Sequence, residues 1–383
     1  MTTDVYVVGV DMTRFGRYPD KSVEDLGAEA TLAALADAGL GIRDMQAVYC
    51  GNVGEANAWP GQRIMKQVGQ TGVPVVNVSN ACASGATAFR EGWIAVKAGL
   101  YDTVLCIGVE KMGKGMLGAP RSYNGVPIEG LVGSLTMPST FATLGTEHAL
   151  QYGTTLEQFA LVSVKNHFHS TLNPKAMYRF ETPLEQVLES EMIAYPLTKL
   201  MCSVNVDGAA AAVICSERRM RELGLTRRAV KVRASALTSD PYTPHNLAST
   251  DFNAVTRLAA RQAYEAAGLG PDELDLVELH DCFATAELVH YENLGFCPEG
   301  GAGALIESRE TYLGGRLPVN VSGGLLSKGH PLGATGIANI YEVVTHLRGE
   351  AGERQVAGAR IGMTHVVGAG AACAVHILEK TDA

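Results

Sequence analysis

The sequence lacks the features of a secreted, disulfide-stabilised or membrane-embedded chain. Its eight cysteines form no CxxC pair and no spacing typical of a disulfide framework. We therefore expect free thiols in a reducing cytoplasm. No basic segment precedes an apolar run at the N-terminus, and the longest weakly polar stretch, Val366 to Leu378, is too short to cross a bilayer. We expect neither a signal peptide nor a membrane span.

Positive charge is also scarce. The 31 Lys and Arg residues against 40 Asp and Glu residues give a net charge of −9, and the basic residues form no long dense run. This balance disfavours nucleic acids and anionic membranes as main partners. Apolar residues make up 46% of the 383 residues and charged residues 19%, with 43 glycines. Such a composition predicts a compact, turn-rich globular protein with room for two large cores.

What the chain does contain is an internal repeat. Residues 36–52 and 265–281 each read as the end of an Ala-rich helix, a Gly-Leu-Gly stop, an acidic turn and a strand with a polar tip. The segment Val75 to Ser79 (VVNVS) likewise resembles Pro318 to Ser322 (PVNVS). Each of these strands leads into small residues and then a helix. The sequence therefore predicts two similar α/β halves.

We place these halves at residues 1–225 and 226–383. Val/Ile-rich strands that alternate with helices are typical of sheets covered on both faces, so the halves should stack as α-β-α-β-α layers. Residues 113–200 break the pattern and have no counterpart in the second half. We interpret them as an inserted loop domain that covers one face and shapes a site.

Cys82 is the first candidate for chemistry. It follows the strand that ends near Ser79, and the small residues 83–86 allow a helix to begin directly after it. Unpaired N–H groups and the dipole at a helix N-terminus favour a thiolate. The alternative is that Cys82 is a small buried apolar residue, as most free cysteines are.

A second candidate is the run His280-Asp281-Cys282-Phe283 at the tip of a strand, where α/β proteins build their sites. Adjacent residues along a strand cannot all point one way, so we expect no zinc or other metal here. The alternative is that Asp281 caps a helix and His280 is incidental.

The third candidate is His330, between Gly329 and Pro331 in the segment after the second VNVS strand. If the halves face each other about a pseudo-two-fold axis, His330 and Cys82 meet, and a Cys–His pair is the arrangement of an activated thiolate. The alternative is a surface histidine in a Gly-rich turn.

A fourth candidate is the Gly-rich bend of residues 368–372, whose N–H groups could face an oxyanion. As a single motif it is weak. The remaining histidines are interpreted as surface or packing residues: His148, His167, His169, His245, His290, His346 and His376.

Together these motifs resemble the thiolase superfamily over nearly the whole chain, and in particular its sterol-carrier-protein-type, lipid-transfer-protein-like branch. The matching segments are NACASG around Cys82, HDCF at 280–283, YENLGFCPEG at 291–300, GGLLSKGHPLGATG at 323–336 and LRGEAG at 347–352. The resemblance implies the thiolase fold. It also implies an acyltransferase that cleaves a 3-oxoacyl-CoA, or runs the reverse Claisen condensation, with coenzyme A as co-substrate and no covalently bound cofactor.

The same resemblance assigns residue roles. The nucleophile falls on Cys82 and the histidine of the GHP motif on His330. Other thiolases carry a second catalytic cysteine where this chain has Val366, and in the sterol-carrier type that acid/base role moves to Cys282. His280 and His330 would then hold the enolate.

The oxyanion would be met by the backbone N–H groups of Cys82 and Gly368. The resemblance further implies a homodimer and, in some members, a small zinc-ribbon/OB-fold partner subunit.

Two other functions stay open. Some relatives are retro-aldolases that split a hydroxyacyl-CoA and use tyrosines, which draws attention to Tyr291 and Tyr341. A non-catalytic acyl-CoA- or lipid-binding protein is the second alternative.

We expect the inserted domain to line an acyl tunnel. Apolar residues in and beside it favour a bulky, aromatic or sterol-derived chain, while the alternative is that they form an ordinary Met-rich core: Met112, Met116, Met137, Phe141 and Tyr178.

Overall fold

The computed structural model describes residues 3–113, 122–123, 126–127, 137–245, 250–369 and 372–381. Among them the strands are β1 (Val5–Met12), β2 (Ala47–Gly51), β3 (Val75–Val78), β4 (Thr103–Glu110), β5 (Ser122–Tyr123), β6 (Val126–Pro127), β7 (Met192–Ala194), β8 (Leu197–Thr198), β9 (Gly208–Ser216), β10 (Val230–Ser239), β11 (Leu276–Glu278), β12 (Ile361–Gly368) and β13 (Ala372–Lys380). The α-helices are α1 (Val23–Ala38), α2 (Pro60–Val68), α3 (Ser84–Lys97), α4 (Met137–Tyr152), α5 (Leu156–Thr171), α6 (Leu184–Glu189), α7 (Glu217–Glu222), α8 (Phe252–Ala267), α9 (Ala284–Asn293), α10 (Ala302–Glu307) and α11 (Leu332–Arg348).

Local sequence signals explain where the first helix of each half begins and ends. α1 starts at Ser22, whose side chain accepts the N–H of Asp25 while the Asp25 side chain accepts the N–H of Ser22. α8 starts at Asp251, whose carboxylate accepts the N–H of Ala254. Both helices end at a glycine with a φ of 66°, Gly39 and Gly268, as the Gly-Leu-Gly stops predict.

The strands of the two halves follow one plan. The first half contributes the order β3-β2-β4-β9-β1, and the second continues as β10-β13-β12-β11. Beyond β11, Val319 makes an isolated parallel bridge to Val277, so the second VNVS segment takes the position that β3 has in the first half. The predicted repeat is therefore present in the sheet order.

The predicted layers are confirmed. α1 lies against the outer side of the first-half strands and α8 against β10 and β13, while α3 and α11 contact each other and strands of both halves. The central layer is thus the helix pair α3 and α11. The two halves do not form separate sheets. β1 pairs with β10 through Tyr6 and Val7, and this pairing joins the strands of both halves into one continuous sheet.

The described part of the insertion lies over the second half. α4 is fixed there by Phe141, whose ring stacks on Phe252 at 4.8 Å and on Phe283 at 5.1 Å between ring centroids. α5 contacts α9 and α10, and the hairpin β7–β8 extends the cover towards α4. Met116 lies outside the described residues. Within the described ranges, the helices are all too short or too polar to span a bilayer.

Candidate active site

Cys82 lies in a tight turn between β3 and α3. Ala81, just before it, has a φ of 47°, a left-handed conformation that costs a residue with a side chain on the order of 1 kcal/mol or more. Ser84 holds this turn, because its hydroxyl accepts the N–H of Asn80 at 2.9 Å and donates to the carbonyl of Ala81 at 2.6 Å. The turn ends two residues before α3 begins at Ser84, so Cys82 is at the helix N-terminus, as expected.

The Cys82 sulfur is buried, with only 9% of the residue exposed. Burial raises the pKa of this thiol to about 12, although the N–H groups of Ala369 and of Cys82 itself lower it. The N–H groups at the helix N-terminus thus favour the thiolate, as expected, but desolvation outweighs them in the unliganded protein. Ionisation of Cys82 requires a base that takes the proton as the thiol reacts.

His330 is positioned to be that base. Its Nδ1 is 2.8 Å from the hydroxyl oxygen of Thr335, and that hydroxyl donates to the carbonyl of Pro331 at 3.0 Å. Because the Thr335 hydrogen is used in that way, Nδ1 of His330 is the donor and Nε2 carries the lone pair. Nε2 is buried and makes no hydrogen bond to the described residues. The alternative of a surface histidine is wrong, since His330 is buried.

His280 faces the same space. Its ring centroid is 5.1 Å from that of His330, with the planes 76° apart, and its Nδ1 is also buried without a described hydrogen-bond partner. Burial lowers the pKa of His330 to about 3. Burial, helped by the neighbouring imidazole of His330, lowers the pKa of His280 well below its ordinary value. Both rings are thus neutral when the protein is unliganded.

Cys282 is the fourth side chain that lines the pocket with Cys82, His280 and His330, and it lies just before the start of α9. It precedes α9 by two residues, and its carbonyl accepts the N–H of Ser203 at 2.9 Å. Burial, together with the nearby sulfur of Cys82, raises the pKa of the Cys282 thiol well above its ordinary value. The thiol is therefore protonated and can act as a proton donor.

The folded chain brings these four side chains to one place. The Cys82 sulfur and a ring nitrogen from each of His280 and His330 all lie within 4.8 Å of one another. Cys282 lines the same narrow pocket, whose other lining residues are Met137, Phe141, Phe283, Val367 and Ala369. Two of the five residues expected to line an acyl tunnel, Met137 and Phe141, are thus beside the thiols.

The other tunnel residues are placed differently. Met112 packs against Cys82 in a small apolar cluster that includes Leu332. Tyr178 lines a separate pocket with Leu326, on the far side of Phe283.

Gly368 lies against the Cys82 turn at the end of β12. A Cβ atom on this residue would collide with the carbonyl oxygen of Asn80, so only glycine allows the strand end to approach so closely. The N–H that reaches the Cys82 sulfur belongs to Ala369, one residue further on. Gly370 and Ala371, the rest of the predicted bend, lie outside the described residues.

Asp281 has a role that the sequence interpretation misses. The alternative that Asp281 caps a helix is wrong, because α9 is preceded by Phe283 and has no side-chain cap. Its carboxyl group instead accepts the N–H groups of Leu325 at 2.7 Å and Leu326 at 3.3 Å, and an Asn166 amide hydrogen at 2.8 Å. Asp281 thereby ties the turn that carries His280 and Cys282 to the turn that leads to His330.

Two further histidines surround His280. Nδ1 of His365 accepts the backbone N–H of His280 at 3.4 Å. The ring centroid of His290 is 4.6 Å from that of His365. Of the histidines interpreted as surface or packing residues, all but His245 are buried. No spacing in the sequence indicates the contact between His280 and His365, which arises only when β11 and β12 pair.

The two tyrosines of the aldolase alternative lie away from the pocket. The Tyr291 hydroxyl donates to Glu287 at 2.5 Å inside a buried cluster with Lys165. Tyr341 lies against the ammonium group of Lys175, beside a core to which both halves contribute. Neither lines the space around Cys82.

Comparison with known proteins decides the family. The family described as "Thiolase, N-terminal domain" matches residues 5–192, and "Thiolase C-terminal domain-like" matches residues 242–380. An acetyl-CoA acetyltransferase of Methanothermobacter thermautotrophicus is 42% identical over 98% of this chain and 100% of its own length.

The chain belongs to the thiolase family. It is an acyltransferase of that family, and the resemblance drawn from its motifs is confirmed.

Other relatives include both a sterol carrier protein and a thiolase subunit. Sterol carrier protein 2 of Rattus norvegicus is 40% identical over 97% of this chain and 71% of its own length. The benzoylsuccinyl-CoA thiolase subunit BbsB of Thauera aromatica is 36% identical over 96% of this chain and 95% of its own length.

Two solved structures extend the likeness to the fold. A chain of the Ltp2-ChsH2(DUF35) aldolase superposes with a TM-score of 0.84 at 25% identity, covering 98% of each chain. Human mitochondrial 3-ketoacyl-CoA thiolase in complex with CoA gives a TM-score of 0.76 at 19% identity, over 99% of this chain and 98% of the other.

Proposed function

We propose that this thiolase-family enzyme cleaves a 3-oxoacyl-CoA with CoA, or runs the reverse Claisen condensation, through an acyl group on Cys82. The observation that carries this proposal is the approach of the Cys82 sulfur and nitrogens of His280 and His330 to within 4.8 Å of one another. A thiol beside an imidazole that offers a lone pair is the arrangement for nucleophilic catalysis.

In the first step, Nε2 of His330 takes the Cys82 proton while the sulfur attacks the 3-keto carbon. Burial raises the pKa of the Cys82 thiol to about 12, which favours proton transfer that is coupled to the attack over a preformed thiolate. The tetrahedral oxyanion is met by the N–H groups of Cys82 and Gly368 at the end of β12.

In the second step, the bond between the α and β carbons breaks. The acyl group stays on Cys82, and the electron pair leaves as the enolate of an acyl-CoA held by His280 and His330. Cys282 protonates the enolate carbon, a role that suits a thiol whose burial raises its pKa well above the ordinary value. The thiol of a second CoA then removes the acyl group from Cys82.

The acyl group we propose is bulky, and aromatic or sterol-derived. Phe141, Phe283 and Met137 beside the thiols support an apolar chain. The names of two relatives, benzoylsuccinyl-CoA thiolase and sterol carrier protein 2, point to the same range.

For partners, we propose a homodimer formed through β3, the edge strand before Cys82, where Val76 is 41% exposed. A further partner subunit is supported by the two-component name of the matched aldolase. We place the enzyme in the cytoplasm, because its eight cysteines are free.

The test is mass spectrometry of the intact protein and its peptides after incubation with acyl-CoA donors that are short, branched, aromatic or steroidal. We expect an acyl mass increment on the Cys82 peptide, largest for a bulky donor and absent in Cys82→Ala. The matched control is Cys297→Ala, which removes a half-buried thiol outside the pocket. A folded protein that binds acyl-CoA without any adduct would instead be a lipid- or acyl-CoA-binding protein.

A retro-aldolase is the second candidate, favoured by the TM-score of 0.84 with an aldolase chain. It differs in that cleavage of a hydroxyacyl-CoA survives Cys82→Ala. Retained cleavage in that variant, together with loss in Tyr291→Phe or Tyr341→Phe, would establish the aldolase and refute the thiolase.

A further inference from the structure

Three potential metal ligands converge in the pocket from three separate segments. Cys82 precedes α3, His280 follows β11 and His330 precedes α11, and their ligand atoms lie within 4.8 Å of one another. In a tetrahedral zinc site the metal–sulfur bond is about 2.3 Å and the metal–nitrogen bonds about 2.0–2.1 Å, which separates the ligand atoms by roughly 3.3–3.7 Å. Side-chain movements on the order of 1 Å therefore suffice to close the three atoms around one ion.

Each of the two histidines has a ring nitrogen available for a ligand. Nε2 of His330 and Nδ1 of His280 are buried and make no hydrogen bond to the described residues. The Thr335 hydroxyl fixes the His330 tautomer so that Nε2 offers its lone pair, which is how an outer hydrogen bond prepares a metal-binding histidine. The argument against a metal drawn from the adjacent residues His280, Asp281 and Cys282 does not apply, because the ligands come from different segments.

We propose that this pocket binds one soft divalent cation, Zn²⁺ or Cd²⁺, through Cys82, His280 and His330, and that the bound ion blocks acylation of Cys82. A thiolate with two imidazoles selects such ions over Mg²⁺ and Ca²⁺, which prefer oxygen ligands. On binding, the Cys82 thiol releases its proton to the solvent and no electron is transferred. The fourth position is left to water or to the Cys282 sulfur, which lines the same pocket.

Binding of the ion rests on the geometry of the pocket alone, whereas the block of acylation rests on the proposed function. Metal binding is therefore measured without acyl-CoA, by titrating the reduced, chelator-treated protein with Zn²⁺ against a chromogenic chelator. We expect one tight equivalent in the wild type, and an affinity at least tenfold lower in Cys82→Ser, His280→Ala and His330→Ala.

Cd²⁺ gives a spectroscopic signature for the sulfur ligand. We expect a sulfur-to-cadmium charge-transfer band with one equivalent of Cd²⁺, retained in the matched control Cys297→Ser and lost in Cys82→Ser. Circular dichroism confirms that each variant is folded. A functional readout follows, in which one equivalent of Zn²⁺ prevents the acyl adduct and a chelator restores it.

Equal Zn²⁺ affinity in the wild type and in folded Cys82→Ser would overturn the proposal, as would a cadmium band that persists without Cys82. These outcomes are distinguishable from failure of the proposed function. A protein that binds Zn²⁺ through Cys82 but takes no acyl group refutes only the thiolase mechanism, whereas one that is acylated but gives no cadmium band refutes only the metal site.

Discussion

Cys82 and Cys282 occupy similar positions, each two residues before a helix, yet the proposed mechanism gives them different roles, Cys82 as acyl carrier and Cys282 as acid. Cys82 receives the N–H of Ala369 in addition to its own, whereas Cys282 receives its own N–H and that of Phe283. Burial raises the pKa of both thiols. In the proposed mechanism the lone pair of His330 distinguishes the two thiols, because it supplies Cys82 with a base that the helix N-terminus does not replace.

Replacing Cys282 separates the two roles. In Cys282→Ala we expect cleavage of a 3-oxoacyl-CoA to fall by about 10²- to 10⁴-fold, because general acid catalysis is lost. Acylation of Cys82 by a simple acyl-CoA should persist, since it needs no proton on carbon. Steady-state cleavage rates and the adduct mass measure the two effects, with Cys297→Ala as the control. Full cleavage activity in Cys282→Ala would contradict the acid/base assignment.

At the residue scale, the sequence identifies the side chains that meet in the pocket, because strand tips and helix starts are readable from local patterns. It does not reveal the contacts that prepare them. The tautomer of His330 depends on Thr335, five residues later, and the setting of His280 depends on His365 in another strand. Such contacts exist only after the elements pair.

At the scale of elements, the turn after β11 and the turn after the second VNVS segment behave as one unit. Asp281 joins them by accepting two backbone N–H groups of the 324–328 turn and an amide hydrogen of Asn166. The left-handed Gly324, with a φ of 59°, lies directly against this carboxyl group. The relative position of Cys282 and His330 is therefore set by the carboxyl group of Asp281, the residue directly before Cys282.

Asp281→Asn tests this link with little change in shape. The amide NH₂ would face a backbone N–H, so we expect the turns to shift and kcat to fall on the order of 100-fold, as for misplacement by about 1 Å. KM for CoA should change little, which separates positioning from loss of binding. Asp272→Asn, an exposed carboxylate in the turn before β11, is the control. An unchanged kcat with only a lower melting temperature would mean that Asp281 is purely structural.

Some element boundaries are predictable from local patterns. The Gly-Leu-Gly stop predicts the end of α1, which lies at Ala38 directly before Gly39, and a capping box at Ser22 marks its start. The pairing of β1 with β10 was not predictable, because it joins edges more than 200 residues apart and leaves no local pattern. Most of the region between β4 and α4 lies outside the described residues.

At the scale of the whole molecule, the two halves meet where α3 crosses α11. The crossing is close because Gly85, Gly333 and Gly336 carry no side chain; a Cβ on Gly336 would collide with the backbone N–H of Ala86. Since α3 begins just after Cys82 and α11 just after His330, the helix spacing also sets the distance between these two residues.

Gly336→Ala should therefore damage stability and activity together. We expect the free energy of unfolding to fall by about 1–3 kcal/mol from overpacking, although alanine favours a helix more than glycine does. The matched control is Gly41→Ala, where the added Cβ meets nothing closer than 3.7 Å and should cost little. Denaturant unfolding and the rate of Cys82 acylation measure the two effects. A Gly336→Ala protein as stable and as rapidly acylated as wild type would show that the helices can separate freely.

The glycine crossing also limits how such a chain can diversify. This seam excludes even a methyl group, so it leaves almost no room for substitution. Apart from Gly145, where a Cβ would collide with Thr285, the cover is held by side chains such as the stacked rings of Phe141 and Phe283, which leave more room for exchange. New substrate ranges, whether evolved or engineered, should therefore come from exchanging the cover while the seam beneath it is left untouched.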